Sequence, residues 1–364
     1  MEPLMADYFY TFVRFISREV YHSRVGDGRL DSTRGMASLW NADLQTKEMN
    51  GDILVGLKVR AIECDEGVRS VTLSLPERLN VQPNFRQGDS IVLYQCNPMR
   101  VTSDHTSCNA TTRQVIRCQV ERYERDAIVL QLRHRQRNER MFGHDSLFAI
   151  EHDYVDGSMK SLYEGLYTML CTHPKRRELL LCQRVPQVDQ TVALKKEVQD
   201  AQLSDIVLRM KQARDYFVLV GPPGTGKTSV ALRAMVDELI LDHQSVLLLA
   251  YTNRAVDEIC EMLADKPYLR IGRELSCGEH YRPHLLQNQV GEDVNRDEVR
   301  RLLCHPSTQQ NQPDIVVATV SSMIANRDIF RLRSFDVAIF DEASQLLEPQ
   351  MLPLLCTMHG NQPA

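Results

Sequence analysis

Residues 217–235 read FVLVGPPGTGKTSVALRAM: an apolar run, a glycine-rich turn and a helix-forming segment in immediate succession. Gly221, Gly226, Lys227 and Thr228 fit the spacing G-x-x-x-x-G-K-T, the loop that joins a buried strand to a helix and wraps a phosphate. Glycines at 221, 224 and 226 let the chain turn tightly enough for its N–H groups to face one anion. The following helix adds the partial positive charge of its N-terminus. The candidate cradle is Gly221, Pro222, Pro223, Gly224, Thr225, Gly226, Lys227, Thr228 and Ser229. Lys227 is expected to reach the β- and γ-phosphates of ATP, and the Thr228 hydroxyl to ligate Mg2+.

A second motif lies downstream. In FDVAIFDEASQL, residues 335–346, an apolar run ends at once in Asp341 and Glu342. Adjacent acids alone carry little, because such pairs are common on surfaces. Behind a buried strand and downstream of a phosphate loop they take on roles. Asp341 would hold Mg2+ through its water shell. Glu342 would orient and deprotonate an attacking water, which makes Glu342, Asp341 and Lys227 the candidate catalytic set. Gln345, beside the acids, could instead couple them to a second ligand such as nucleic acid.

The apolar runs DYFVLV, SVLLLAY, YLRIG, DIVVATV and FDVAIF alternate with helical stretches at 228–241, 253–264 and 292–304. Continuous apolar strands between helices predict an α/β fold, a parallel sheet with helices on both faces. Residues 51–150 read differently. DILVGLKVRAIEC, SVTLSLP, DSIVLYQC, QVIRCQVERYE and AIVLQLRHR are short β-rich runs broken by turns, the pattern of a small antiparallel β-barrel. Arg133 and Arg135 belong to a cluster with Arg113, Arg117, Arg122, Arg125, Arg137 and Arg140, with Tyr123 and His134 among them. Such residues can track a phosphate backbone and stack on bases. The interleaved Glu121, Glu124, Asp126 and Glu139 equally suit a solvated face. Helical periodicity covers 8–25, and 158–175 reads as a short helix. The expected division is a helical lead-in (1–50), the barrel (51–157), a helical connector (158–195) and the P-loop domain (196–364).

The net charge of -5 requires any nucleic-acid face to be local. None of the ten cysteines forms a C-x-x-C pair, which excludes the common zinc and iron–sulfur spacings. Early charges at Glu2, Asp7, Arg14 and Arg18 rule out a secretory signal in this stretch. Reduced thiols and a cytoplasmic location are the expectation. No apolar run approaches the roughly 18 residues of a membrane span.

GPPGTGKT, LLLAYTNRAVDEIC, VVATVSSM and AIFDEASQLLEP stand in an order that resembles superfamily 1 helicases. The branch is that of the Dna-two-type nuclease–helicases and the up-frameshift RNA helicases. The likeness is dense over 200–352 and looser over 50–190, where that branch carries a barrel. No NKxD or LSGGQ-like segment points to a GTPase or a transporter ATPase. The resemblance implies a RecA-like fold for the P-loop domain, truncated at its C-terminal side. It implies ATP-driven movement along single-stranded nucleic acid, 5′ to 3′, with DNA preferred over RNA. By position, Thr252, Asn253 and Thr319 match backbone contacts, and Gln202 the adenine-reading glutamine, with Gln199 or Gln190 as fallbacks. Plain helix capping by Thr252 or Asn253 stays open beside this. Asp257 and Glu258 are expected to be solvated or ion-paired. The family's GDxxQLPP motif, its arginine fingers, its second RecA-like domain and an upstream nuclease domain are not found, so the chain is expected to be a piece of a larger helicase. The alternative is a nucleotide-dependent nucleic-acid-binding module without turnover.

Overall fold

The computed structural model describes residues 2–25, 44–76, 83–96, 110, 113–143, 146–153, 158–196, 198, 200–222, 224–290, 299, 302–303 and 314–358. Contacts gather into two units, Arg14–Met159 and the combination of Met1–Val13 with Lys160–Ala364. Helix α1 (Pro3–Val25) runs from one set of residues into the other.

In the first unit, β1 (Ile53–Cys64), β2 (Val68–Ser74), β3 (Ser90–Gln95), β4 (Ile116–Tyr123), β5 (Ala127–Gln136) and β6 (Leu147–His152) form a closed barrel in the order β1-β2-β5-β4-β3-β6. Every pairing is antiparallel. The first five strands match the expected runs. The sixth, LFAIEH, was not among them, and it performs the closure by pairing with both β1 and β3. Closure leaves no strand edge open, and Leu57, Leu73, Leu93, Leu130 and Phe148 fill the interior. Helix α2 (Leu44–Asn50) brings Lys47 to Glu151 at 2.8 Å, both buried, and the Tyr94 hydroxyl also donates to Glu151. Two donors make burial of that carboxylate tolerable. Cys96, in the same cluster, is disulfide-bonded, contrary to the expectation of reduced thiols throughout. Sequence spacing does not report which sulfurs meet in space.

In the second unit, β7 (Val246–Ala250), β8 (Tyr268–Ile271), β9 (Ile315–Thr319) and β10 (Val337–Phe340) form a parallel sheet in the order β10-β7-β9-β8. Alternate residues feed separate cores. Leu247, Leu249, Val316 and Ala318 pack on one face, and Val246, Leu248, Ala250 and Val317 on the other. This accounts for strands that are apolar at every position. The helices are α3 (Ser158–Cys171), α4 (Pro174–Leu180), α5 (Ala201–Gln212), α6 (Arg233–Leu241), α7 (Asn253–Met262), α8 (Leu286–Gln289), α9 (Val320–Ala325), α10 (Ile329–Leu332) and α11 (Glu348–Thr357). Most of the helix expected over 292–304 lies outside the described residues.

One expectation is corrected. DYFVLV is not a buried strand: residues 216–220 belong to no strand ladder, and Val218 and Val220 are 70% and 87% exposed. An apolar run becomes a strand only where a neighbour offers matching N–H and C=O groups. The described sheet ends at β10, which pairs with β7, and residues 216–220 pair with neither of its edges.

An ion network fixes the helix that follows the phosphate loop. Glu238 on α6 accepts from the backbone N–H of Lys195 and of Lys196 and from Lys211 Nζ at 2.7 Å. Lys211 also meets Asp242 at 2.9 Å, and Lys196 and Lys266 meet Asp237 at 2.9 and 2.7 Å. Burial opposes the charges on Glu238, Asp242 and Asp237, but these partners outweigh it and hold all three carboxyls below their usual range. Folded values below the unfolded ones give stability that is complete at neutral pH and is lost as pH falls through the carboxylate range.

Two outcomes are expected in urea unfolding. Val218→Thr and Val220→Thr change stability by no more than about 0.5 kcal/mol, whereas Leu248→Ala in β7 costs about 2–5 kcal/mol. Glu238→Ala removes one of the two carboxylates that meet the buried Lys211 ammonium and the acceptor of two backbone N–H groups, and costs about 3 kcal/mol at pH 7. The gap to the wild-type chain narrows at acid pH, where the network is already weakened.

Candidate functional site

The phosphate loop takes its shape from two left-handed glycines, Gly224 at φ 78° and Gly226 at φ 76°. A Cβ at Gly226 would stand 3.1 Å from Val230 Cγ2, a tight fit, and the left-handed dihedral itself favours glycine there. The helix begins with a π-wound turn, Lys227–Leu232, and continues as α6. Lys227 Nζ donates to the carbonyls of Gly221 at 2.7 Å and Pro222 at 2.9 Å, and Thr225 Oγ1 donates to Pro222 O at 2.8 Å. Ser229 is exposed, and Pro223 lies outside the described residues.

The acids arrive on β10. Its in-register pairing with β7 places Phe340 opposite Leu249, and the Asp341 N–H donates to Leu249 O at 2.7 Å. Thr228 Oγ1 donates to Asp341 Oδ2 at 2.8 Å. The other oxygen, Oδ1, accepts from the Glu342 N–H at 3.0 Å. Glu342 has φ 54° and ψ 36° and starts a short 3-10 turn, Ala343–Gln345. Its Oε2 accepts from Gln345 Nε2 at 3.2 Å.

These residues fit Mg–ATP. Thr228 and Asp341 offer a hydroxyl and a carboxylate side by side, the hard oxygen donors that Mg2+ accepts directly or through water. Bound there, the metal would neutralise charge on the phosphates. Lys227 would exchange its two carbonyl partners for phosphate oxygens.

The expected nucleic-acid contacts sit at the C-terminal ends of neighbouring strands, with Thr319 in register with Ala250. Thr252 Oγ1 caps α7 by accepting from the Ala255 N–H at 3.1 Å. Asn253 follows it, exposed, as the first residue of α7. Thr319 is only 6% exposed; its hydroxyl accepts from the Ser322 N–H at 3.0 Å and donates to Ser322 Oγ at 2.8 Å. Capping is therefore present at both threonines, and Thr252 is the more accessible. Gln202 is exposed in the first turn of α5, where Asp200 caps its N–H at 2.8 Å. Gln190 is exposed, and Gln199 lies outside the described residues.

On the barrel, Arg133 and Arg135 are exposed on β5. Arg135 pairs with Asp65 at 2.9 Å and Glu66 at 3.5 Å, and Arg117 with Asp153 at 3.2 Å, so acids already engage part of the cluster.

Asp257 is ion-paired, to a buried Arg270, and Glu258 meets Arg254 at 3.4 Å. Sequence reasoning passed over Arg270, whose signal was an arginine inside the apolar run YLRIG. Its guanidinium ties β8 to α7, the helix capped by Thr252. Burial pushes the nearby Cys260 thiol up to about 11.

Residues 197–312 match the family described as an AAA domain. Chicken (Gallus gallus) DNA replication ATP-dependent helicase/nuclease DNA2 is 32% identical over 230 residues, which is 58% of this chain and 22% of that protein. Over that stretch this chain is similar to DNA2-like helicases. The mouse (Mus musculus) DNA2 is 36% identical over 145 residues, 40% of this chain and 13% of its own length. The Arabidopsis thaliana helicase/nuclease JHS1 is 34% identical over 152 residues, 41% of this chain and 10% of its own length. The DNA2-like matches thus span about a fifth or less of these relatives' lengths. Among the described residues no helix is long and apolar enough to cross a membrane, and no three or more His, Cys, Asp and Glu side chains gather as a metal-binding group.

Thr228→Val keeps the shape of the side chain and removes the bond to Asp341. In the ligand-free chain it is expected to cost about 1.5–3 kcal/mol in urea unfolding, the worth of a hydrogen bond to a charged group.

Proposed function

We propose that this chain carries the ATP–Mg2+ half of a helicase motor that moves along single-stranded DNA in the 5′–3′ direction. The bond from Thr228 to Asp341 at 2.8 Å carries the reading, because it joins the loop and the acids at one point. Residues 196–364 act as the first RecA-like domain, 51–157 as a barrel that touches nucleic acid, with 1–50 and 158–195 as helical lead-in and connector. Gly221, Pro222, Pro223, Gly224, Thr225, Gly226 and Ser229 wrap the phosphates, Lys227 meets the β and γ groups, and Thr228 with Asp341 holds the metal. Glu342 takes the proton of the attacking water. Gln202 reads adenine. Thr252, Asn253 and Thr319 contact the strand at the tips of β7 and β9, where helix N-termini favour phosphate. Arg133 and Arg135 extend that track on the barrel.

The full motor needs a second RecA-like domain whose arginines neutralise the transferring phosphoryl group, by analogy a factor of about 10³–10⁵ in rate. A nuclease domain upstream, as the relatives' names imply, would make the DNA ends it exposes its substrates. A cytoplasmic location goes with this reading.

Hydrolysis of Mg–ATP by the 364-residue chain, with and without a single-stranded DNA oligonucleotide, tests it. Weak turnover at most is expected of this chain alone, and strong DNA stimulation only of a longer chain that adds the second RecA-like domain, with single-stranded RNA less effective. Lys227→Ala should abolish binding of a fluorescent ATP analogue. Binding without any turnover would leave a nucleotide-dependent binding module, and retained binding in Lys227→Ala would sink the site altogether. Arg133→Ala with Arg135→Ala should flatten the salt dependence of DNA binding by about two units of slope. An unchanged slope would reduce the arginines to a solvated face.

A further inference from the structure

Glu342 is one of four described non-glycine residues with positive φ, and it stands at the reacting end of the site. Holding a non-glycine residue there costs on the order of 1–3 kcal/mol, so its surroundings must impose the conformation. Three bonds do so. Asp341 Oδ1 accepts its N–H at 3.0 Å, its own carbonyl accepts the Gln345 N–H at 2.9 Å, and its Oε2 accepts Gln345 Nε2 at 3.2 Å. Gln345 therefore grips Glu342 twice, once through the backbone and once through the side chain. The grip is anchored from behind. Leu346, the next residue, is buried in the core, and its N–H donates to Ala343 O at 3.1 Å. Both Glu342 and Gln345 side chains stand on an exposed ledge. An exposed glutamate would otherwise sample its rotamers freely, at an entropy worth up to about 2 kcal/mol.

The donor's chemistry matters as much as its place. A side-chain amide offers two N–H donors and carries no charge. It can orient a carboxylate without forming an ion pair. A lysine or arginine in that position would hold the carboxylate more tightly but favour its ionised form and weaken it as a base.

We propose that Gln345 is a positioning residue for hydrolysis: its side-chain amide holds the Glu342 carboxylate in the orientation from which it activates the attacking water. Gln345 does not touch the nucleotide. The assignment rests on the proposed role of Glu342 as the base.

The test compares the 364-residue chain with Gln345→Ala, Gln345→Glu, Glu342→Gln and the double variant Glu342→Gln/Gln345→Ala, in Mg–ATP hydrolysis with a single-stranded DNA oligonucleotide and in binding of a fluorescent ATP analogue. Gln345→Ala should lower kcat about tenfold, a fraction of the roughly 10²–10⁴ that a placed base contributes, with KM and analogue affinity within about twofold. Gln345→Glu has the same shape but offers no amide donor, and should fall at least as far. It keeps the test alive if the alanine variant folds poorly. With the base removed by Glu342→Gln, adding Gln345→Ala should slow hydrolysis no further, because the two side chains act as one unit. Wild-type kcat in both Gln345 variants, or additive losses in the double variant, overturns the assignment while leaving Glu342 as the base. A kcat loss matched by lost analogue affinity would make Gln345 merely structural. Nucleotide binding with no turnover in the wild-type chain would fell the hydrolytic reading, and this assignment with it.

Discussion

A single hydrogen bond, from the Thr228 hydroxyl to the Asp341 carboxylate, joins residues 113 apart and brings the two ends of the site into one place. Much of the second unit serves to keep it. The donor is carried by a helix whose opposite side is clamped by Glu238, Asp237 and Asp242 to lysines from three other segments. The acceptor rides on β10, held in register by β7. Neither end could shift by an ångström without leaving hydrogen-bond range. The same two groups are hard oxygen donors, so what organises the ligand-free site is also what a magnesium ion would take over.

The sheet explains why other candidates gather nearby. The parallel strands β7 and β9 end together, and each is followed by a helix that needs a cap. Thr252 and Thr319 meet that need, and a cap's hydroxyl stands where helix N–H groups face an anion. Capping and phosphate contact are therefore not rival explanations for Thr252, which is exposed. For Thr319, buried and bonded twice to Ser322, the structural role has the stronger support.

The barrel follows a different economy of bonds. Its interior is closed and apolar, and its outer wall carries a second, ionic cluster in which α2 delivers Lys47 to Glu151. Some of its arginines already have acidic partners. Asp65 and Glu66 already engage Arg135, so a phosphate would have to compete with two carboxylates there.

The amino-acid sequence by itself determined what depends on near neighbours. The glycine spacing set the loop, unbroken apolar runs announced strands buried on both faces, and shorter runs announced five walls of the barrel. What the tertiary structure alone decided was partnership. LFAIEH closes the barrel because two strand edges stand open to it. Residues 216–220 are equally apolar but form no ladder. The meeting of Thr228 with Asp341, of Asp257 with Arg270 and of Gln345 with Glu342 rests on how β7, β8 and β10 fall in register, or on a left-handed turn. Dihedral preference and hydrophobic periodicity are written locally in the chain, whereas a hydrogen bond between distant segments exists only once packing has fixed both ends.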